Sequence, residues 1–184
     1  WVDEGSASTD VPKGELGIWT STQRFLVANT AGNPQTVYPS DAGDPQTFNQ
    51  STTSFDIGEK SVTGITGMME FTNAEVMMFT RDEMHLLDIS ATAATSWLRR
   101  KIADIGCEAP RTVRLIGEDA LFLGRDGVRS VLQSAQDKKR GASLPISFPI
   151  QDWIDRINWV QVKKSLAWVW SDKYFLSVPV DGAT

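Results

Sequence analysis

The chain of 184 residues is 41% hydrophobic and carries 18 basic against 23 acidic residues, for a formal net charge of −5. This composition fits one soluble globular domain and argues against a nucleic-acid-binding surface, which needs clustered Lys and Arg. The single cysteine, Cys107, excludes both an intrachain disulfide and a thiolate-rich metal site. No apolar run approaches the ~20 residues that cross a bilayer and no secretory leader is visible, so we expect neither a membrane span nor export.

The first part of the chain predicts one hairpin followed by a long loop. Residues 1–16, with many Ser, Asp, Gly and Pro, read as an entering linker or blade edge. Apolar runs at 17–19 and 24–28 flank a short polar step and predict the hairpin. Turn-forming residues dominate 29–61 and leave room only for short strands at 37–38 and 55–57. Because the first residue is Trp1 rather than Met, we expect a piece of a longer polypeptide.

The middle of the chain predicts a complete antiparallel sheet and part of another. Strand-like runs at 65–71, 76–79, 84–89 and 97–102 follow one another with short connections. Further runs fall at 112–116, 121–123 and 128–133. The pair Asp126-Gly127 predicts a hairpin turn, because both residues tolerate positive φ. Residues 134–145 are polar and rich in Lys, and they predict a mobile loop.

One segment departs from the period of a strand. Apolar residues at 150, 153, 154 and 157 follow the spacing of a helix face, and Pro149 suits a first helical turn. We therefore predict one short helix near residues 149–158, lying across a junction between two sheets. A last hairpin is predicted over 162–170 and 174–178.

A repeated unit joins these predictions into a fold. An apolar run, a polar break with Asp and a second strand-like run recur around Asp82, Asp126 and Asp172, at steps of 44 and 46 residues. A four-stranded propeller blade has about this length, roughly 40–50 residues. We therefore predict an all-β protein with β-propeller-like antiparallel blades, about four of them partial, over residues 17–184. The alternative is a β-sandwich with evenly spaced hairpins.

The two residues best suited to catalysis do not form a convincing site. His85, the only histidine, has no Ser or Cys nucleophile with an acidic partner placed around it. We interpret it as a strand-surface or interface residue. Cys107 would be a nucleophile only if Arg111 lowered its pKa, and a buried, inert thiol is favoured.

Other clusters are better explained by structure than by binding. Asp41, Asp44, Asp56 and Glu59 share one loop, but their spacing fits neither a calcium loop nor an Asp-box, so Asx-type turns are favoured. The Arg81-Asp82 and Arg125-Asp126 pairs resemble a recurrent ligand-reading device, yet they are typical of hairpin turns with local ion pairing. Trp168 and Trp170 face the same side of one strand, where they bind sugars or a partner or, more simply, pack between blades.

Several stretches in order resemble the β-propeller structural proteins of tailed-bacteriophage tails, of the nozzle and tail-tube type. The resemblance covers nearly residues 17–180 and is carried by 24–28, 34–48, 79–82, 104–112, 121–128, 154–159 and 174–179. Within these stretches stand Arg24-Phe25-Leu26-Val27-Ala28, Phe79-Thr80-Arg81-Asp82, Arg125-Asp126-Gly127-Val128 and Tyr174-Phe175-Leu176-Ser177-Val178-Pro179.

The resemblance implies a structural virion protein of the tail, assembled in the host cytoplasm from copies of itself and neighbouring tail proteins. It implies no catalytic residue, and the sequence itself predicts no cofactor and no metal site. The acidic balance suits a conduit through which DNA passes without sticking. Two alternatives stay open. The first is a propeller lectin or glycan-processing enzyme, which would need an acid and a base such as Asp119 and Asp172. The second is a general protein-interaction propeller, although this chain has no Gly-His and Trp-Asp pairs at the blade period, as the WD type would.

Overall fold

The computed structural model describes residues 11–58, 64–140 and 144–182. Strands are short and follow one another along the chain. The strands are β1 (Gly14–Trp19), β2 (Phe25–Thr30), β3 (Thr36–Asp41), β4 (Asp44–Phe48), β5 (Phe55–Asp56), β6 (Ile65–Thr72), β7 (Glu75–Thr80), β8 (Met84–Asp88), β9 (Leu98–Ala103), β10 (Arg114–Ile116), β11 (Asp119–Gly124), β12 (Gly127–Ser130), β13 (Leu166–Trp170) and β14 (Lys173–Ser177). The helices are α1 (Gln50–Thr53), α2 (Val131–Arg140) and α3 (Gln151–Ile154), with 3₁₀ turns at Ala94–Ser96, Pro110–Thr112, Phe148–Ile150 and Val162–Lys164.

The described residues form four antiparallel sheets in chain order. The first sheet has the order β1-β2-β3-β4 with β5 beside β3, and the second has the order β6-β7-β8-β9. The third sheet is β10-β11-β12 and the fourth is the hairpin β13-β14. The all-β prediction is confirmed, and so are the complete second sheet and the first and last hairpins. Closure of the sheets into a propeller stays a prediction. Residues 1–10 of the predicted linker lie outside the described residues, and β1 begins at Gly14, ahead of the predicted boundary.

Consecutive sheets pack face to face through apolar clusters. In β7, Val76 and Met78 lie in a cluster with Leu26 and Val37 of the first sheet. The alternate residues Met77 and Phe79 lie in a second cluster, shared with the third sheet. Because strand side chains alternate between faces, a strand covered on both sides needs an unbroken apolar run, and 76–79 supplies one.

The third sheet is also covered on both faces, whereas the described residues cover the fourth on one face only. Phe122 of β11 belongs to the second cluster, and the next residue, Leu123, belongs to a third cluster. Tyr174 and Leu176 of β14 pack against that third cluster. The stack of sheets therefore ends at the outward side of β13-β14.

Three turns carry the aspartates of the sequence repeat. Asp82 lies between β7 and β8, Asp126 between β11 and β12, and Asp172 between β13 and β14. Asp172 adopts a positive φ of 56°, whereas at the Asp126-Gly127 turn only Gly127 does, with φ 137°. The prediction that these aspartates mark turns is confirmed.

The predicted loop over 29–61 contains more regular structure than its composition indicates. Strand β3 pairs with β2 through Pro39, which lacks a backbone donor and so hides the strand pattern. The adjacent Ser40 is fully buried, and its Oγ accepts a hydrogen bond from the Phe25 backbone N–H at 2.9 Å. A buried serine thus supports pairing at the position where a proline weakens it.

The strand predicted to continue to residue 133 ends instead at Ser130, and helix α2 replaces the start of the predicted loop over 134–145. Ser130 Oγ accepts a hydrogen bond from the backbone N–H of Gln133 at 2.9 Å, and Asp119 Oδ1 accepts one from that of Leu132 at 3.1 Å. Both bonds satisfy donors that the first helical turn leaves free. The Ser-x-x-Gln spacing is that of a capping box and is the signal that predicts this helix. Residues 141–143 lie outside the described residues.

The helix predicted near residues 149–158 is shorter than its apolar period indicates. After Ile154 the backbone pairs with a distant segment, because Asn158 N–H donates to the Pro179 carbonyl at 2.9 Å and Asp181 N–H to that of Arg156 at 2.8 Å. These bonds replace the next helical turn, so tertiary pairing overrides the local preference. Ile154 still packs in the cluster between the third and fourth sheets, as a helix at such a junction would.

Candidate functional site: an exposed aromatic sheet face

The outward side of the fourth sheet is apolar and open to solvent. Leu166, Trp168 and Trp170 alternate along β13 and are 42%, 47% and 70% exposed. Lys173 and Phe175 stand opposite Trp170 and Trp168 on β14. We name Leu166, Trp168, Trp170, Lys173, Phe175 and Ser177 the aromatic face. Large aromatic side chains gathered on one exposed face are typical of interaction surfaces.

Contacts on both sides of the fourth sheet hold the aromatic face in place. The indole of Trp168 stacks on the ring of Phe175, with centroids 5.4 Å apart and planes 6° from parallel. On the inward side, the Tyr174 hydroxyl donates a hydrogen bond to the Thr112 carbonyl at 2.8 Å. Burial raises the pKa of Tyr174, so this hydroxyl keeps its proton at neutral pH. The fourth sheet is thereby fixed to the 3₁₀ turn that leads into the third.

The prediction that Trp168 and Trp170 pack between sheets of this chain is wrong for its described residues. The inward positions of β13 are taken by Ala167 and Val169, so alternation turns both tryptophans outward. Their shared side was predictable from the sequence. Their exposure was not, because it depends on which sheet covers the face.

The first sheet also presents an outward side at the opposite end of the stack. Trp19 is 50% exposed and pairs with the half-buried Phe25, while Val27 and Tyr38 on the same side form a small buried cluster with Phe48. Glu15 lies two alternations from Trp19 and therefore on the same side. We name Glu15, Trp19 and Phe25 the first-sheet outer face. The first-sheet outer face therefore carries a negative charge at Glu15, whereas the aromatic face carries a positive charge at Lys173.

His85 is buried within the chain, which corrects the interpretation as a strand-surface residue, whereas the interface alternative stays a prediction. Its Nε2 lies 3.0 Å from Oε2 of Glu83, whose Oε1 accepts a hydrogen bond from Lys101 Nζ at 2.5 Å. The bond from Lys101 holds the pKa of Glu83 below its usual value. A cavity of about 430 Å³ adjoins these groups and is also lined by Asp56 and Arg99.

Cys107 is inert in its surroundings. It is fully buried, and its Sγ donates a hydrogen bond to the Ala109 carbonyl at 3.2 Å. Burial raises the pKa of the thiol to about 12, opposite to the lowering that a role for Arg111 would require. The buried thiol predicted from the sequence is confirmed.

The loop carboxylates each have a separate local role. Asp44 accepts hydrogen bonds from the Gln46 backbone N–H at 2.9 Å and from Thr47 Oγ1 at 2.8 Å, which is the predicted Asx-type turn. Asp56 accepts one from Thr36 Oγ1 at 2.6 Å. Glu59 lies outside the described residues. Across the part of the chain that the structure describes, no three His, Cys, Asp or Glu side chains gather as metal ligands would.

The two Arg-Asp pairs do not form ion pairs within themselves, and the predicted local ion pairing holds for Asp126 but not for Arg81. Arg81 pairs instead with Glu108, its Nε 3.0 Å from each carboxylate oxygen, and Asp126 pairs with Arg129. Sequence reasoning missed Glu108 because its partner lies 27 residues away. A carboxylate placed between Cys107 and Ala109 in an apolar stretch is the signal that it needs a buried partner.

Asp119 and Asp172, the carboxylates that a glycan-processing enzyme would use, lie in different sheets. Asp119 accepts hydrogen bonds from Ser130 Oγ and from the first turn of α2, so it serves as a helix cap. Asp172 lies exposed in the turn between β13 and β14. The hydrogen bonds of Asp119 are those of a structural residue.

Over the described ranges, no helix combines the length and the apolar character that crossing a membrane requires. No family model matches this sequence, and no curated protein is significantly similar to it.

Proposed function

We propose that this protein is a structural component of a bacteriophage tail, in the nozzle, tail-tube or connector region, and that it acts by assembly rather than catalysis. The single observation that carries the assembly role is the aromatic face, an uncovered sheet surface at the end of a stack whose inner sheets are covered. The sequence resemblance to tail propellers supplies the setting.

The aromatic face receives the first-sheet outer face of a neighbouring copy. Three considerations support this occupant. The first three sheets are each covered by the next one along the chain, so a further sheet continues an existing mode of packing. Both faces present exposed aromatic surface. Lys173 on one and Glu15 on the other are oppositely charged, which favours this register over like-with-like pairing.

A contact between two different faces is heterologous, and repetition of such a contact closes a ring or extends a filament. Tryptophans are the residues that most often dominate the energy of an interface, especially where a rim keeps water away. Trp168 and Trp170 are therefore expected to supply most of the binding energy. A ring built this way also fits a DNA conduit, because the net charge of −5 repels a polyanion.

Charge-reversal variants test whether the first-sheet outer face of a neighbouring copy binds the aromatic face. Lys173→Glu and Glu15→Lys each place like charges across the proposed contact and should weaken self-association by about threefold to tenfold at low salt. An equimolar mixture of the two variants restores one attractive Lys-Glu contact and should associate better than either variant alone. A mixture no better than its components contradicts this pairing of faces. Lys164→Glu, exposed but off the aromatic face, is the matched control.

Localisation tests the tail assignment. A gold-labelled antibody against the chain, applied to purified tailed particles from the producing culture, should label the tail in electron micrographs. Particles that carry no label while the chain is abundant in the same lysate would contradict the assignment.

One second candidate has an observation in its favour. The exposed Trp168-Phe175 stack is also the kind of platform on which a sugar ring packs. A glycan array with a strong signal that Trp168→Ser removes would favour a lectin. An array without signal, together with self-association, favours the structural role.

A further inference from the structure

A further cavity lies away from the aromatic face, where four segments of the chain meet. The cavity measures about 380 Å³ and is lined by Thr66, Arg81, Glu108, Trp159, Val160, Val162 and Lys163. This volume falls within the range of ordinary ligand pockets, about 300–1,000 Å³. The site stands independently of the assembly role proposed above.

Hydrogen bonds from several elements fix the cavity walls. The backbone N–H of Glu108 donates to the Leu123 carbonyl at 2.9 Å, and Thr66 Oγ1 donates to the Cys107 carbonyl at 2.7 Å. The Trp159 side is held by the Asn158 N–H, which donates to the Pro179 carbonyl at 2.9 Å. A site whose walls are fixed in advance loses little conformational entropy when a ligand binds.

The charges of the cavity leave one positive charge in excess. Glu108 is buried and neutralised by Arg81, which uses only its Nε for this bond. Among the described residues, no group accepts a hydrogen bond from the terminal nitrogens of Arg81, whose side chain is 47% exposed. Lys163 is exposed and has no ion-pair partner within the same ranges. The planar terminal nitrogens of arginine match the geometry of a carboxylate.

The remaining wall is apolar and extends past the cavity. Trp159 is half-buried, Val162 is buried, and Val160 at the rim is 88% exposed. Val160 lines the cavity only in part, so a ligand confined to the cavity would leave most of this side chain uncovered. A bound peptide with an acidic residue followed by an apolar one would place its carboxylate at Arg81 and its apolar side chain against Trp159 and Val160.

We propose that this cavity binds an acidic peptide segment, with a Glu or Asp carboxylate at Arg81 and Lys163 and the next, apolar side chain on Trp159 and Val160. The recognition chemistry is that of arginine-lined acidic-motif sites. Glu108 is a positioning residue here, because its carboxylate is already bound by Arg81 Nε and holds the Arg81 side chain in place.

The test uses the whole chain and two peptides that differ only in charge. Acetyl-Glu-Leu-amide is titrated while the indole N–H resonance of Trp159, assigned with the Trp159→Phe variant, is followed by NMR. We expect a saturable shift, and acetyl-Gln-Leu-amide should bind about tenfold more weakly because it removes a charge-assisted hydrogen bond. Equal binding of the two peptides, or no saturable shift, overturns the proposal.

Two variants locate the binding charge. Arg81→Gln should abolish the preference for the Glu peptide, but it leaves Glu108 buried without its partner and so risks misfolding. Lys163→Gln changes an exposed residue and should weaken binding by about threefold at low salt. Lys164→Gln, the next residue outside the cavity, is the matched control and should have no effect. If Lys163→Gln and Lys164→Gln have equal effects, the site is overturned. If free N-acetylneuraminate binds with a tighter saturable response than the Glu peptide, the assignment to a peptide is overturned.

Discussion

The indole of Trp168 stacks on Phe175 across the fourth sheet, with ring centroids 5.4 Å apart and planes within 6° of parallel. Both rings stand on the aromatic face, which no other described segment covers. Because each ring restrains the other, the two side chains have less rotational freedom to lose when a partner binds. The stack thus makes the face a prepared contact surface.

Truncation of Phe122 should separate the second and third sheets. Its ring lies 4.8 Å from that of Phe79, tilted by 47°, and both residues are fully buried. Phe122→Ala leaves a cavity at this junction and should lower the free energy of unfolding by about 3–5 kcal/mol. Urea denaturation monitored by circular dichroism measures the loss. Phe148→Ala, at an exposed position, should cost less than about 1 kcal/mol, and equal losses would contradict this account of the core.

Substitution of Gly106 should disrupt the approach of two backbone segments. A Cβ at this position would lie 2.1 Å from the Thr80 carbonyl oxygen and 2.3 Å from the Arg81 carbonyl carbon, both main-chain atoms. Since main chain cannot move aside as a flexible side chain can, Gly106→Ala should cost several kcal/mol, about 3 or more. Gly32→Ala meets nothing within 4 Å and is the control. Thermal unfolding midpoints that match between the two variants would show that the approach is not tight.

The Glu83 network should make stability depend on pH at the acid end. Hydrogen bonds from Lys101 and His85 lower the pKa of Glu83 from its ordinary value of 4.5, with Lys101 the larger cause. A lowered folded-state pKa adds stability that is present above the ordinary value and is lost as the pH falls through the lowered one. Glu83→Gln should therefore be less stable than wild type by about 1 kcal/mol at pH 7, with the difference shrinking below pH 4.5.

The measurement is the denaturant midpoint of both proteins from pH 7 down to the acid transition. Glu118→Gln changes an exposed turn carboxylate and should leave the difference near zero throughout. A constant gap between wild type and Glu83→Gln at every pH would show that the Glu83 charge contributes nothing.

Local signals allowed much of the fold to be predicted from the sequence, and distant partners explain the rest. The second sheet was predictable because its four strands are neighbours in sequence order and appear as separate apolar runs. Helix α2 had a local signal in Ser130 and Gln133, whereas the early end of α3 depends on pairing with Pro179. The functional residues divide in the same way between local and distant signals. Strand alternation places Trp168 and Trp170 on one side, but no local sequence pattern predicts the long-range pairing of Arg81 with Glu108.

Sedimentation velocity over a range of concentrations tests the assembly role most directly. The 20.3 kDa wild-type chain should form larger species as its concentration rises, and the Trp168→Ser, Trp170→Ser double variant should stay monomeric with its fold intact. Trp153→Ser removes an equally exposed tryptophan from α3, off the aromatic face, and should associate like wild type. A wild type that stays monomeric up to about 0.5 mM, or a double variant that associates as well as wild type, would contradict assembly through the aromatic face.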